Sequence, residues 1–350
     1  MTQQQQEQQS FGIVFDIDGV LIRDGVPIPN ATKALGLLVD QDTQQPKYPY
    51  IFVTNGGGFS EADKAKKVSK VLNHHIEEDH CMVAHTPMKT LVDKYRDNDV
   101  LLVSKSHKTS EHLAQVYGFK HFTSLQQYVE ERPFLYPTKY STFWTKGVAS
   151  EYDIKKSKDD QLPFKAIILL EEPLDWGECI QIIVDIAQSK DGLLEKNFIN
   201  KADTQMIDVH IANPDISYGG EFVLPRFTMG ALTECIKTLY KIQTGRDLIH
   251  TFYGKPYKLT YEYAKELLSN QLKKLNHQSP PKHIYAIGDN PYSDIKGANN
   301  LKSEGWVSIL VKTGCWKSEF NHPEIPADHY VNDVLEAVEL ILRLENKNSS

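Results

Sequence analysis

The chain reads Phe11-Gly12-Ile13-Val14-Phe15-Asp16-Ile17-Asp18-Gly19 near its start, and this stretch decides the fold. Its first five residues are almost all apolar, which is typical of a strand buried on both faces of a parallel sheet. Two carboxylates, Asp16 and Asp18, follow at once. Such a pair suits phosphate ester chemistry, with one carboxylate as nucleophile and the other as acid and base. An isolated Asp-x-Asp is more often a capped strand end or an unrelated metal ligand.

Three further apolar runs end in polar residues or glycines. They cover residues 50–53, 283–287 and 307–311, and helical patterns near 31–39 and 334–344 alternate with them. In open α/β sheets, ligands bind beyond the carboxyl ends of the strands, and parallel strands bring distant segments to one edge. The sequence therefore predicts an α/β fold, a three-layer sandwich around a parallel, Rossmann-like sheet, with an active site at that edge.

Far more chain separates the second apolar run from the third than a single crossover needs, and this segment has strand-like and helical runs of its own. We therefore expect a second, inserted α/β domain over residues 85–215. Residues 11–84 and 216–346 would then form the catalytic core. Residues 1–10 are mostly Gln and are predicted to be a disordered tail, because they have little apolar surface to bury.

Two turns carry groups suited to holding an anion. Thr54-Asn55-Gly56-Gly57-Gly58 offers a hydroxyl and a run of unhindered backbone N–H groups, which together make a phosphate cradle. Ser60, just beyond, is suited to cap the next helix. Lys255, in Gly254-Lys255-Pro256, offers a compact positive charge that can hold a phosphate against a carboxylate nucleophile. Alone, each is more simply an ordinary turn with solvated side chains.

Two more carboxylates follow the third apolar run, within Gly288-Asp289-Asn290-Pro291-Tyr292-Ser293-Asp294. Mg²⁺ prefers oxygen ligands in octahedral geometry and keeps several waters. Asp16, Asp289 and a backbone carbonyl would leave room for those waters and for one phosphate oxygen. The simpler role of an acidic helix cap fits Asp294 better than Asp289.

The four features occur in order along the chain, and together they resemble the haloacid dehalogenase superfamily. Its motifs one to four are matched, in order, by Asp16-x-Asp18, Thr54, Lys255, and Asp289 with Asp294. The resemblance covers nearly the whole chain. An insertion between motifs two and three implies, in that superfamily, a cap domain of the C2 type.

Finer features resemble one subgroup. Ala212-Asn213-Pro214-Asp215 and the turn at Lys255 are similar to the NagD-type subgroup, subfamily IIA. The glycines after Thr54 and His85-Thr86-Pro87 most resemble the branch of the cat eye syndrome critical region protein 5. Better-known NagD-type phosphatases carry an Asn and a Ser or Thr after the Thr-Asn pair, where this chain has Gly56-Gly57. This departure argues against carrying the known substrates of those relatives over to this chain.

The resemblance implies a magnesium-dependent phosphatase that acts on a small phosphorylated metabolite through an aspartyl-phosphate. The implied catalytic residues are Asp16 as nucleophile, Asp18 as acid and base, and Lys255. The implied phosphate-binding residues are Thr54, Asn55, Gly56 and Lys255. The implied magnesium ligands are Asp16, Asp18 and Asp289, and Asp294 is implied to contact these ligands rather than the ion itself.

Two alternatives stay open. Dehalogenases that resemble this fold lack the second carboxylate, and P-type ATPases carry Thr there, so Asp18 favours a phosphatase or a phosphomutase. A phosphomutase would use the same residues and pass the phosphate to a second hydroxyl. A catalytically weak binding protein that retains the fold is the other alternative, although the intact motifs argue against it.

Composition excludes several other classes of function. The net charge of −7 offers no basic footprint for nucleic acid, and no apolar run approaches the ~20 residues that a membrane helix needs. Four dispersed cysteines without a CxxC indicate reduced thiols. The resembling branch suggests a mitochondrial location and a setting in glycerophospholipid metabolism, whereas the N-terminus shows no presequence, so the cytoplasm is the alternative. The sequence does not predict the oligomeric state.

Overall fold

The computed structural model describes most of the chain, namely residues 10–40, 42–43, 45–132, 135–136, 163–192, 194, 204–219, 222, 224–277 and 279–348. The predicted Gln-rich tail, except for Ser10, lies outside these residues.

Strands and helices alternate along the described residues. The strands are β1 (Phe11–Phe15), β2 (Ile22–Arg23), β3 (Val26–Pro27), β4 (Tyr50–Val53), β5 (Cys81–Met82), β6 (Asp99–Val103), β7 (Phe122–Ser124), β8 (Phe164–Leu169), β9 (Asp208–Ile211), β10 (Ser217–Tyr218), β11 (Arg226–Phe227), β12 (Thr251–Phe252), β13 (His283–Gly288), β14 (Trp306–Val311) and β15 (His329–Val331). The α-helices are α1 (Ala31–Gly36), α2 (Glu61–Leu72), α3 (Leu91–Lys94), α4 (His107–Tyr117), α5 (Leu125–Glu130), α6 (Trp176–Ala187), α7 (Met229–Thr244), α8 (Lys258–Lys274), α9 (Lys296–Asn299) and α10 (Val334–Asn348). Among the described helices, none is both long and apolar enough to cross a bilayer.

The first sheet has six strands in the order β15-β14-β13-β1-β4-β5, and every neighbouring pair is parallel. Alternate residues of β1 face opposite sides, so Ile13 and Phe15 pack with α1, α2 and α10, whereas Val14 packs with α8 and α9. This burial on both faces explains why β1 is continuously apolar. The predicted α/β fold with a three-layer parallel core is confirmed.

The loop after β4 leads directly into α2, whose start agrees with the prediction. The Ser60 hydroxyl accepts a hydrogen bond from the Asp63 backbone N–H at 3.2 Å and so caps the helix. Helix α2 therefore begins at Glu61, shortly after the glycine run of residues 56–58.

The second sheet has five strands in the order β12-β9-β8-β6-β7, again all parallel. Its strands share one hydrophobic cluster that extends from Ala84 to Tyr253. Three of its strands end next to residues that matter below, because β6 precedes Lys105, β8 precedes Glu171 and β12 precedes Lys255.

The extent of this second domain differs from the predicted range of 85–215. Helix α7 packs on α6, and its residues Met229, Leu232, Ile236 and Tyr240 belong to the same buried cluster as the strands of the second sheet. Strand β12 then pairs with β9. Residues 229–252 therefore lie with the inserted domain, and the first domain resumes near Lys255. The end of the inserted domain was not recognisable in the sequence, because β12 has only two residues and shows no alternation of apolar and polar side chains.

We expect the substitution Ile236→Ala to destabilise the inserted domain by about 2–5 kcal/mol, because Ile236 is almost completely buried on α7. The matched control is Ile242→Ala on the same helix, where the side chain is 73% exposed and the expected change is within about 0.5 kcal/mol. Hydrogen exchange with denaturant titration measures both. The loss of protection should fall on β8 and β9 rather than on β1 and β13; loss confined to the first sheet would contradict the reassignment.

Candidate active site

The predicted site residues follow the carboxyl ends of adjacent strands. Asp16 follows β1, Thr54 follows β4 and Asp289 follows β13, and β1 lies between the other two strands. The Asp16 backbone N–H donates to the Ile287 carbonyl at 2.9 Å, which continues the β1–β13 ladder to the last residue before the loop. The three side chains therefore start from one edge of the sheet.

Lys255 reaches this edge from the second sheet, where it follows β12. Its buried ammonium contacts Asp16 Oδ1 at 2.5 Å and Asp294 Oδ1 at 2.6 Å, and it donates to the Val53 carbonyl at 2.9 Å. Burial by itself lowers the pKa of Lys255, but the carboxylates of Asp16 and Asp294 outweigh burial and raise it above its usual value. The ammonium is therefore charged and fixed on three partners.

Asp16, Asp289 and Asp294 form a buried group whose ligand oxygens all lie within 4.8 Å of one another. Three carboxylates and one ammonium leave a formal charge of −2 in this volume. Burial, together with the neighbouring carboxylates, raises the pKa of Asp16 well above its usual value, against the opposing effect of Lys255. Burial and then Asp294 raise the pKa of Asp289 to about 6. The donor set is all oxygen and its charge calls for a divalent cation, so these residues fit Mg²⁺.

Asp289 is held in place by the loop that follows β14. The Cys315 backbone N–H donates to Asp289 Oδ2 at 2.6 Å. Gly19, at φ +92°, and Gly314 press against the same carboxylate, so a Cβ at either position would collide with it. The Thr313 hydroxyl donates to the Gly19 carbonyl at 2.7 Å and ties this loop to the first motif. The absence of side chains at both glycines thus leaves the space that Asp289 occupies.

The phosphate cradle predicted after β4 has well-defined internal contacts. The Gly56 backbone N–H donates to Thr54 Oγ1 at 3.1 Å, which leaves the Thr54 hydroxyl proton free to donate to a ligand. The Asn55 carboxamide is engaged elsewhere, because it donates to Asp215 at 3.0 Å and to the Lys255 carbonyl at 2.9 Å and accepts from the Lys255 backbone N–H at 2.7 Å. Asn55 therefore positions Lys255, and a direct contact between its side chain and phosphate is not what this geometry favours.

Asp18 differs from the other carboxylates because it is exposed, one residue beyond the buried Ile17. Within the described residues, its carboxylate does not join the acidic group of Asp16, Asp289 and Asp294. An exposed carboxylate suits proton exchange with a leaving group and with water better than ligation of a buried cation. The predicted place of Asp18 among the magnesium ligands would have to rest on its backbone carbonyl, and it stays a prediction.

His85 links the glycine run to the inserted domain. The Gly58 backbone N–H donates to His85 Nε2 at 3.3 Å, so His85 Nδ1 carries the proton and donates to the Tyr117 hydroxyl at 2.6 Å. Tyr117 in turn donates to Glu61 at 3.0 Å, and Lys89 pairs with the same carboxylate at 3.1 Å. Burial lowers the pKa of His85 to about 4, so the imidazole is neutral and this direction of hydrogen bonds is fixed.

The inserted domain also contacts the glycine run through the loop after β8. A Cβ on Gly57 would lie 2.7 Å from the Leu170 carbonyl oxygen, and one on Gly58, which has φ +82°, would collide with the Glu171 carboxylate. Glu171 is paired with Lys105 at 2.9 Å. The carboxyl ends of β6 and β8 thus face the carboxyl end of β4, and a crevice between two sets of strand ends results.

Sequence reasoning assigned no role to Asp215, Cys315 or Tyr117, and it noted His85 only as part of a resemblance. Asp215 was noted only as part of a subgroup marker, although its contact with Asn55 belongs to the site. The polar cluster after β14 was recognised as a strand end without its contact to Asp289. Nothing in the local sequence indicates that Tyr117, 32 residues from His85, is its hydrogen-bond partner.

We expect His85→Gln to remove part of the acid sensitivity of the fold. The folded-state pKa of about 4 lies below the ordinary value of 6.5, so the unfolded chain takes up the proton first. Stability is therefore lost as the pH falls from about 6.5 to about 4, by about 3 kcal/mol for this group. Gln can accept from Gly58 and donate to Tyr117 without titrating.

Urea titrations of both proteins at pH 7 and pH 4 measure this effect. His210, whose burial also lowers its pKa to about 4, is present in both and cancels in the difference. An equal loss of unfolding free energy in the two proteins would show that His85 is not the neutral link described above.

Comparison with known proteins places the chain in a family. Residues 13–120 match the family described as haloacid dehalogenase-like hydrolase, and residues 252–337 match the related family described as HAD-hydrolase-like. The two matches fall on the first domain and on the start of the second, and they include every predicted motif.

Three individual proteins show the extent of the similarity. The chain is 38% identical over 325 residues to a cardiolipin synthase (CMP-forming)/mitochondrial hydrolase fusion protein of Schizosaccharomyces pombe, covering 92% of this chain and 51% of the relative, so it spans about half of that protein. It is 33% identical over 356 residues to a mitochondrial hydrolase of Saccharomyces cerevisiae, covering 94% of this chain and 95% of the relative.

Among solved structures, the p-nitrophenyl phosphatase from Archaeoglobus fulgidus superimposes with a TM-score of 0.59 at 16% identity, over 95% of this chain and 99% of that one. This likeness concerns the fold. The near full-length match to the yeast hydrolase and the order of the four motifs together settle the family. The chain belongs to the haloacid dehalogenase-like hydrolases.

Proposed function

We propose that the protein is a magnesium-dependent phosphatase that hydrolyses a phosphomonoester through an aspartyl-phosphate on Asp16. The observation that carries this proposal is the buried contact of Lys255 with Asp16, beside Asp289 and Asp294, at the carboxyl edge of a parallel sheet. A carboxylate nucleophile, a fixed ammonium and an all-oxygen cation site are the three components that phosphoryl transfer needs. The phosphatase named among the similar structures supports the same reaction class.

In the first step, an oxygen of Asp16 attacks phosphorus and the bond from phosphorus to the ester oxygen breaks. The leaving oxygen would take a proton from the carboxylic acid of Asp18, whose side chain is exposed. Lys255 holds Asp16 in place and faces the negative charge that develops on the transferring group. When bound, Mg²⁺ would supply the positive charge that lets an anionic nucleophile approach an anionic phosphate.

In the second step, the Asp18 carboxylate accepts a proton from water, whose oxygen attacks the phosphorus of the aspartyl-phosphate. The bond from phosphorus to Asp16 breaks, and inorganic phosphate leaves. The Thr54 hydroxyl would hold a phosphoryl oxygen in both steps, because the Gly56 and Gly58 backbone N–H groups already donate to Thr54 and His85. Asn55 supports both steps by positioning Lys255.

The names of the relatives described above support a substrate class and a location. The S. pombe relative carries cardiolipin synthase in its name, which favours a substrate that belongs to glycerophospholipid chemistry. Both relatives are named mitochondrial, which favours a mitochondrial location for this chain. The crevice between the two sheets favours small phosphorylated molecules over folded protein substrates, because the inserted domain covers the site.

We expect Asp16→Asn to lower kcat at least ~10³-fold while the fold stays intact, because the change is isosteric and removes the nucleophile. The measurement is release of inorganic phosphate from p-nitrophenyl phosphate in Mg²⁺, with far-UV circular dichroism as the check on folding. Exposed Asp247→Asn serves as the control. Activity of Asp16→Asn within tenfold of wild type, a barrier change of only ~1.4 kcal/mol, would contradict the mechanism.

We expect Mg²⁺ to stabilise the wild-type protein, by about 2.7 kcal/mol at a hundredfold excess over Kd. Asp289→Asn should show a different pattern, because it removes one of three crowded carboxylates. Its melting temperature should exceed that of wild type in EDTA and respond much less to Mg²⁺. Thermal unfolding in EDTA and across a Mg²⁺ titration measures both quantities. The same Mg²⁺-induced shift in both proteins would place the cation elsewhere.

A further inference from the structure

The hairpin of β10 and β11 is unusually apolar for an exposed element. Between residues 216 and 227 lie five large apolar side chains that are 50–70% exposed: Ile216, Tyr218, Phe222, Leu224 and Phe227. Scattered exposed apolar residues are ordinary, but five within one short hairpin mark a surface that contacts something other than water.

Both faces of this hairpin carry apolar side chains. In the antiparallel register, Tyr218 lies opposite Arg226 and Ser217 lies opposite Phe227, so Tyr218 and Phe227 point to opposite faces. The Arg226 guanidinium stacks over the Phe222 ring at 4.6 Å from its centroid. A second folded protein would cover one face of such a ribbon, whereas a hydrocarbon phase surrounds both. Aromatic rings together with an arginine are the residues that suit the boundary between lipid and water.

The two ends of the hairpin are built into the wall of the catalytic crevice. Asp215, directly before it, accepts a hydrogen bond from Asn55, which holds Lys255. Thr228, directly after it, is buried and its backbone N–H donates to the Ile216 carbonyl at 3.1 Å. The apolar ribbon therefore starts and ends at residues in contact with the site.

Polar groups lie between the phosphate site and this apolar ribbon. Lys105 and Glu171 form an ion pair above the glycine run. The half-buried Glu172 comes next in the chain, and the Thr228 side chain hydrogen-bonds to it. From the carboxylates and ammonium of the catalytic centre, contacts lead through the polar side chains of Glu171 and Glu172 to the apolar hairpin.

We propose that this order matches an amphiphilic substrate: a phospholipid whose polar headgroup ends in a phosphomonoester. The terminal phosphate would occupy the site at Asp16 and Lys255, headgroup hydroxyls would hydrogen-bond at Glu171 and Glu172, and the hairpin would contact the hydrocarbon of the lipid surface. The inference rests on the proposed phosphatase activity and names its substrate class. In the membrane-bound protein, a lipid surface covers both faces of the hairpin.

The test compares one lipid with its water-soluble counterpart. The lipid is a diacyl phospholipid with a terminally phosphorylated glycerol headgroup, in phosphatidylcholine vesicles; the counterparts are glycerol phosphate and p-nitrophenyl phosphate. Wild type should bind the vesicles in flotation assays and turn over the lipid at least tenfold faster than glycerol phosphate, judged by kcat/KM. In the triple variant Phe222→Ser, Leu224→Ser, Phe227→Ser, the ratio of lipid to p-nitrophenyl phosphate turnover should fall at least tenfold.

A matched control places the same change elsewhere on the inserted domain. Ile242 and Ile249 are about as exposed as the hairpin residues, at 73% and 69%. The double variant Ile242→Ser, Ile249→Ser should keep both vesicle binding and the ratio of activities. An equal loss in the control would mean that general surface hydrophobicity, not the hairpin, binds the vesicles, and would overturn the proposal.

Two further results would overturn the proposal. One is equal turnover of the lipid and glycerol phosphate by wild type, unchanged in the hairpin variant. The other is a wild-type dimer that the hairpin variant converts to a monomer without loss of vesicle binding, since the hairpin would then be an interface between copies. Failure of the proposed phosphatase activity is distinguishable from failure of the lipid proposal. Flotation measures vesicle binding without turnover, whereas inactivity toward p-nitrophenyl phosphate in Mg²⁺ would contradict only the proposed reaction.

Discussion

The ammonium of Lys255 is buried with carboxylates from two different segments, and the arrangement of the site depends on that contact. A buried charge is tolerable only when it is paired and hydrogen-bonded, and Lys255 meets that condition through Asp16, Asp294 and the Val53 carbonyl. Loss of either carboxylate would leave the lysine partly uncompensated. The contact therefore fixes β1, the loop after β13 and the end of β12 relative to one another, and with them the nucleophile, the cation site and the inserted domain.

The origin of Lys255 explains why the two domains work as one site. The lysine is the third residue beyond a strand of the second sheet, yet its partners belong to the first sheet. Parallel sheets collect functional groups at their carboxyl edges, and here two such edges face each other. One edge supplies phosphoryl-transfer chemistry. The other supplies Lys105, Glu171 and Glu172, whose side chains are suited to hydrogen-bond a leaving group.

The apolar runs that end in Asp16, Thr54 and Asp289 were readable because burial on both faces of a parallel strand leaves a continuous signal in the sequence. The parallel core and the order of the motifs could therefore be predicted. The boundary of the inserted domain could not, because α7 is amphipathic in either assignment and β12 has two residues. The hydrogen bonds from Gly58 to His85 and from His85 to Tyr117 could not be predicted either, because these residues come together only when α4 packs against the first domain. The assigned chemical roles of Asp16, Asp18 and Lys255 stay predictions.

The close approach of the Leu170 carbonyl to Gly57 has a consequence for how such proteins diverge. A single methyl group at position 57 would lie 2.7 Å from that oxygen, so the loop after β8 can lie this near only while residue 57 is glycine. A homologue with Ser or Thr there must set its inserted domain back, which enlarges the gap above the phosphate site. Residue 57 and the loop around Leu170 therefore constrain each other, because any side chain at position 57 requires that loop to lie farther from the glycine run.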